Sequence, residues 1–182
     1  MTTFILIRHA ESPRTEDEGR PLSPAGWKAA ESLPARLADL PIDAIYSSPY
    51  RRARQTIEPL ARQRGLPVAE DPALREIALP TVSAGSLAEV MTARWADFDL
   101  THGGGESNRQ AQERVVGLVR TLAQQHQAQS IALATHGNLL ALLLHAFDPG
   151  VGPGFWRSLT FPDVYTLRLP PPSAGVFRRI AV

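Results

Sequence analysis

Phe4-Ile5-Leu6-Ile7, followed without a break by Arg8-His9-Ala10-Glu11-Ser12, is the stretch on which the reading of this chain turns. Four apolar side chains in a row, with no polar alternation, suit a strand covered on both faces, as in a parallel sheet. The same change from apolar strand to polar loop recurs twice. Residues 131–134 run into Thr135-His136-Gly137-Asn138. A short strand over 43–46 runs into Ser47-Ser48-Pro49-Tyr50-Arg51-Arg52-Ala53-Arg54. Strands that alternate with helices predict a three-layer α/β/α sandwich, its mostly parallel central sheet carrying helices on both faces. In such a sheet ligands bind beyond the carboxyl ends of the strands, so these exits are where a site is expected.

The helices are marked by their ends. Ser23-Pro24 supplies an N-cap and a proline at the first helical position, which predicts a helix over 24–39 that Pro34 kinks or ends early. Ser48-Pro49 gives the same signal for a helix reaching residue 64, bent by Pro59 and stopped by Gly65. Residues 68–69 form a short strand. Residues 71–105 read as a variable, loop-rich excursion over the active site, with one helix over 87–95. Ser107 and Gln110 match a capping box, and Ala111, Val115, Leu118, Val119 and Leu122 recur at helical spacing, so 107–126 is an amphipathic helix. Residues 138–147 are almost wholly apolar and predict a buried helix. Two late strands, 164–169 and 176–180, flank Pro170-Pro171-Pro172. No repeat or interdomain linker interrupts the pattern, and residues 1–182 are expected to form a single domain.

Composition narrows the classes of function. With 43% apolar and 20% charged residues the chain can bury a core and is not of disordered type. A net charge of +1 and no Lys/Arg-rich run give nucleic acid no footprint. The absence of cysteine excludes disulfides, zinc–thiolate sites and thiol chemistry. No apolar stretch reaches the roughly 20 residues of a membrane helix, and the apolar run near Met1 is too short for a signal peptide. A soluble cytoplasmic protein is expected, with no membrane partner; a homodimer is left open.

Two histidines and several arginines therefore leave apolar strands on one sheet edge. Burying cations beside a core is costly unless an anion joins them, and the simplest such anion is a phosphate. A neutral imidazole is a good nucleophile near neutral pH and can attack phosphorus in line. Arginine offers a planar fork that matches phosphate oxygens. His136, if protonated, adds a donor, and amides at a helix start after Gly137 would face the anion. The leaving alkoxide needs a proton, so a carboxylic acid with a raised pKa should sit opposite the nucleophile.

These residues resemble the histidine phosphatase superfamily, also called the phosphoglycerate mutase-like family. Arg8-His9-Ala10-Glu11-Ser12 is similar to its Arg-His-Gly signature. Pro21-Leu22-Ser23-Pro24-Ala25-Gly26 is similar to its Leu-Thr-x-x-Gly helix start. Ser47-Ser48-Pro49 with Arg52-Ala53-Arg54-Gln55-Thr56 resembles the second phosphate-binding segment. Leu74-Arg75-Glu76 resembles the segment with the acid, Gly104-Gly105-Glu106-Ser107 the lead into the long helix, and Thr135-His136-Gly137 the second histidine motif. The resemblance implies a phosphatase acting through phosphohistidine on His9. Arg8, Arg52 and His136 would clamp the phosphoryl group, with Ser12 and Gly137 as further phosphate contacts. Glu76 would be proton donor and then base. No metal or organic cofactor is implied, and the partner is a small phosphorylated metabolite or, less in keeping, a phosphohistidine protein.

Three departures bear on this reading. Ala10 replaces the usual glycine, Thr15 stands where many members have asparagine, and Ile77-Ala78-Leu79-Pro80-Thr81 replaces the usual Gly-x-Trp-Glu-Gly after the acid. Glu70, Asp71 and Glu106 compete with Glu76 for the acid role, and Arg51 and Arg54 with Arg52. Glu11 is a surface carboxylate or pairs with a pocket arginine. His126 and His145 read as structural or exposed, His102 as a residue of the variable excursion, Gly103-Gly104-Gly105 as a turn, and Trp95, Phe155 and Trp156 as packing. A phosphomutase is the alternative within enzymes, and a non-catalytic phospho-ligand binding module the alternative outside them. A metal hydrolase built on His9 and His136 is disfavoured by the adjacent Arg8 and Arg52.

Overall fold

The computed structural model describes residues 1–13, 18–77, 87–101, 105–169 and 176–181. Thr15, His102, Gly103 and Gly104, residues 78–81 and the three prolines at 170–172 lie outside these. The strands are β1 (Thr2–Arg8), β2 (Ala44–Ser47), β3 (Val68–Glu70), β4 (Ser130–Thr135), β5 (Asp163–Leu169) and β6 (Val176–Ile180). They form one sheet in the order β3-β2-β4-β1-β5-β6. The β3–β2, β2–β4 and β4–β1 pairs are parallel, whereas β5 runs antiparallel to β1 and β6 antiparallel to β5. The mostly parallel character holds, and the antiparallel part is confined to the last two strands.

Helices cover both faces, and strand alternation explains how. Phe4 and Leu6 of β1 point to one side, where they join Ile131, Leu133 and the helices α4 (Asn108–Gln125) and α5 (Gly137–His145) in the larger core. Ile5 and Ile7 point to the other, where they pack with Ala132, Ala134, α1 (Pro24–Arg36) and α2 (Arg51–Arg64). α5 is apolar all round, as expected for a helix buried on every side. Helix α3 (Leu87–Ala96) brings Trp95 to the larger core, and α6 (Pro153–Ser158), a short helix absent from the sequence reading, brings Phe155 and Trp156. His145 is held by the Val151 carbonyl at 2.6 Å and the rings of Trp95 and Phe98. His126 contacts the Tyr46 hydroxyl at 3.0 Å. Both are structural.

Caps locate the helix ends. Ser23 accepts from the Gly26 amide, and Ser107 and Gln110 complete the expected capping box of α4. Pro34 lies in the last turn of α1, and the helix ends at Arg36, three residues short of the expected end. Gly65 adopts the left-handed conformation that terminates α2 (φ 64°). The start of α2 differs from expectation: its N-cap is Tyr50, whose amide donates to the Ser48 hydroxyl at 3.2 Å, and that hydroxyl also meets His136 Nε2. Gly26 is required by packing, since a Cβ there would lie 2.1 Å from the Glu11 carbonyl oxygen. This contact lets α1 close against the loop leaving β1.

Candidate active site

In the sheet register Arg8 pairs with Thr135, and Ser47 with Ala134, so β1, β4 and β2 end together. The His9 amide donates to Thr135 O at 2.9 Å and the Ser48 amide to Ala134 O at 2.9 Å, which carries the alignment one residue past the strands. His9, His136 and Ser48 therefore emerge side by side. The two imidazole centroids are 5.2 Å apart, and His136 Nε2 lies 2.8 Å from the Ser48 hydroxyl. Arg52, the second residue of α2, is 5% exposed and directs its Nε–H at His9 Nε2, 3.3 Å away.

The tautomer of His9 follows from geometry. Its Nδ1 lies 2.7 Å from the Ala10 carbonyl, so Nδ1 carries the ring hydrogen and Nε2 keeps its lone pair. Burial, reinforced by the charges of Arg52, Arg8 and Arg20, pulls His9 down to about 3 from its ordinary 6.5. His136 is held well below 6.5, first by its complete burial and then by His9, Arg52 and Arg20. The pocket thus holds His136 neutral, so the condition on which it would add a second ring donor is not met in this structure. Both imidazoles stay uncharged near neutral pH chiefly because they are buried, and the charged arginines around them add to the effect.

Those arginines are the second feature. Burial pulls Arg8 and Arg52 down to about 10. Neither forms an ion pair with a carboxylate among the described residues; Arg8 instead donates to the carbonyls of Leu159 (2.8 Å) and Thr160 (3.2 Å). Glu76 is the carboxylate whose charge acts on both. Gly137 makes room for Arg8: a Cβ there would come within 3.0 Å of its Cζ and Nε.

Glu76 is set in place from three directions. The turn over Pro72–Leu74 before it is tied to the end of β4 by Thr135 Oγ1, which donates to Leu74 O at 2.9 Å. Arg114 of α4 donates to Ala73 O and Arg75 O, and is itself paired with Glu106 at 2.6 Å. The carboxylate then accepts from the Ile77, Asn138 and Leu139 amides at 3.0–3.2 Å. This corrects one expectation. The amides just past Gly137 at the start of α5 face Glu76. The competing carboxylates are placed elsewhere: Glu70 pairs with the exposed Arg54, Asp71 caps the Pro72–Leu74 turn, and Glu106 holds Arg114.

Other candidates resolve as follows. The Ser12 hydroxyl donates to Pro21 O at 2.8 Å, which directs its one hydrogen into the loop rather than toward a phosphate. Glu11 accepts from the Ser23 hydroxyl at 2.9 Å and supports the start of α1. Ala10 needs no glycine-only angles. Ala128 is the one described non-glycine residue with positive φ, and the Ala10 methyl is fully buried with Leu22 and Ala30. Three residues the sequence reading passed over also belong here. Arg20 acts electrostatically on both imidazoles and precedes a recognised motif by one residue. Tyr50 places its ring 5.0 Å from His136 and donates to Glu18 at 2.8 Å. Phe161 lies over Arg8 because antiparallel β5 brings its leading loop to this edge.

Comparison with known proteins agrees with this constellation. Residues 4–169 match the histidine phosphatase superfamily (branch 1). Over 150 residues the chain is 31% identical to phosphoserine phosphatase 1 of Hydrogenobacter thermophilus, covering 75% of this chain and 71% of that protein. A solved phosphoserine phosphatase of Entamoeba histolytica, in complex with 3-phosphoglyceric acid, shares the fold with a TM-score of 0.82 at 21% identity, covering 100% and 98% of the two chains. A mycobacterial glucosyl-3-phosphoglycerate phosphatase with inorganic phosphate gives 0.78 at 23% identity, covering 97% and 94%. The chain belongs to the histidine phosphatase superfamily and is an enzyme that hydrolyses phosphate monoesters.

Proposed function

We propose that this chain hydrolyses small phosphate monoesters through a phosphohistidine on His9. The observation that carries this reading is a neutral, oriented Nε2 facing Arg52, where Arg52 and Arg8 form no ion pair with a carboxylate among the described residues. In the first step Nε2 attacks phosphorus in line and the bond to the ester oxygen breaks. Glu76 gives that oxygen its proton, and the alcohol leaves. In the second step Glu76 takes a proton from water, whose oxygen attacks phosphorus and breaks the N–P bond. Inorganic phosphate departs and Nε2 recovers its lone pair. Arg8 and Arg52 neutralise the oxygens throughout, and His136 lies beside them. An arriving phosphate dianion offsets the arginine charges that add to burial in keeping His136 neutral, which favours a proton on that imidazole as the site fills.

Phosphoserine and 3-phosphoglycerate are the first compounds to test, being named with relatives and neighbours of this chain. Wild type and His9→Ala should be mixed with labelled substrate, quenched in alkaline denaturant within milliseconds, and digested. Label is expected on the peptide carrying His9 in wild type only, with inorganic phosphate released rather than an isomer formed. Turnover without label on that peptide would overturn the mechanism. Isomer formation without phosphate release would make the enzyme a mutase. Binding of phosphate esters with no turnover would make it a binding module.

A further inference from the structure

Apart from Met1 at the chain end, Phe161 is the one large apolar side chain exposed among the described residues, at 45%. Its position is the informative part. The ring lies over the Arg8 guanidinium, with Cζ 3.5 Å from its centroid, and its centroid is 5.5 Å from that of the His9 imidazole. The exposed aromatic ring thus borders the phosphoryl site at the nucleophile itself.

The loop that carries the ring is tightly held. Arg8 donates to the carbonyls of Leu159 and Thr160. The Thr160 amide donates to Asp163 Oδ2 at 3.1 Å and its hydroxyl to Pro162 O at 2.9 Å. Asp163, fully buried, accepts from Arg179 of β6, which also reaches the Thr160 hydroxyl at 3.2 Å. A ring fixed in this way loses little freedom when a ligand covers it. With the dianion held by the arginines, the alcohol part of the ester is the portion left to meet the ring.

We propose that Phe161 determines leaving-group specificity, favouring phosphate esters whose alcohol presents a flat apolar face next to the ester oxygen. This rests on the phosphatase reading, because it takes the arginine pocket to be the phosphoryl site. Cation–π contact with Arg8 on one side leaves the rest of the ring for the alcohol. Covering that exposed portion corresponds to about tenfold in affinity.

The test uses phosphonates, which bind without turning over. Wild type, Phe161→Ala and Phe161→Leu are titrated with benzylphosphonate and methylphosphonate by calorimetry. Wild type is expected to bind the benzyl compound about tenfold more tightly, and the alanine variant to bring that ratio to about one, with leucine between. Equal affinities in wild type would overturn the proposal. So would a variant that weakens both compounds alike, since Phe161 would then act only by seating Arg8. If neither phosphonate binds wild type, the arginine pocket is not the phosphoryl site, and that reading of the site falls together with this proposal. If both bind equally, only the role of Phe161 is lost.

Discussion

The Nε–H of Arg52 donates to Nε2 of His9 at 3.3 Å, so the lone pair that would attack phosphorus and a guanidinium that would hold its oxygens already face each other. In the proposed mechanism one residue would have two tasks, orienting the nucleophile and neutralising the charge it receives. Lysine keeps the charge but has no planar fork and no Nε–H at that reach. Arg52→Lys is expected to lower kcat/KM by roughly 100-fold, in the range seen when one oriented charge donor is removed, with an unchanged circular dichroism spectrum. Wild-type kinetics in this variant would show that charge alone suffices.

Gly137 bears on the same pocket through what it lacks. A methyl there meets Arg8 Cζ at 3.0 Å, and the guanidinium is pinned on its far side by Leu159 O, Thr160 O and the Phe161 ring. Gly137→Ala should therefore displace Arg8 rather than α5. The inhibition constant of inorganic phosphate is expected to rise about tenfold or more, the scale of a charged hydrogen bond. An unchanged constant would mean that Arg8 does not touch the anion.

The sequence revealed this arrangement unevenly, for physical reasons. β1, β4 and α5 are apolar without alternation, so their burial and the histidine positions after the strands follow from local pattern alone. The start of α2 followed only in part, because the Ser48 hydroxyl, which accepts from the Tyr50 amide ahead of the helix, is shared with His136, 88 positions away. The partners of Glu76 were hidden for a similar reason. Helix-start amides read as an anion cradle until a distant carboxylate is seen to fill them. Phe161 reaches the site only because β5 reverses direction, and pairing direction has no local signature in 163–169.

Acid stability tests the electrostatics of the pocket. His9 lies at about 3 and His136 well below 6.5 in the folded chain, whereas both stand near 6.5 when unfolded. Between pH 6.5 and about 3 the unfolded state therefore binds protons that the folded state does not. Stability is full above pH 6.5 and falls on acidification, by up to about 1.4 kcal/mol per pH unit for each histidine. Urea unfolding at pH 7 and pH 5 is expected to show this loss in wild type, and a loss smaller by about 2 kcal/mol in His9→Asn. Identical pH dependence in the two proteins would mean that His9 titrates normally in the fold.

Arg114 makes no hydrogen bond to the proposed phosphate-holding groups Arg8, Arg52 and His136, yet it fixes the backbone on both sides of Leu74, donating to Ala73 O and Arg75 O while paired with Glu106. It is a positioning residue for Glu76. Arg114→Met should let the Pro72–Leu74 turn drift and misplace Glu76, the proposed proton donor, while leaving Arg8, Arg52 and His136 in register. The expected result is a fall in kcat of about ten- to a hundredfold, the scale of impaired acid–base help, with the inhibition constant of inorganic phosphate unchanged. Substrates with acidic leaving groups, such as p-nitrophenyl phosphate, need less protonation and should suffer less in the first step. Arg114→Lys should recover part of the rate by keeping one of the two backbone contacts. A general loss of folding would move the phosphate constant together with kcat. Parallel loss in both, across all leaving groups, would show that Arg114 holds the structure and not the acid.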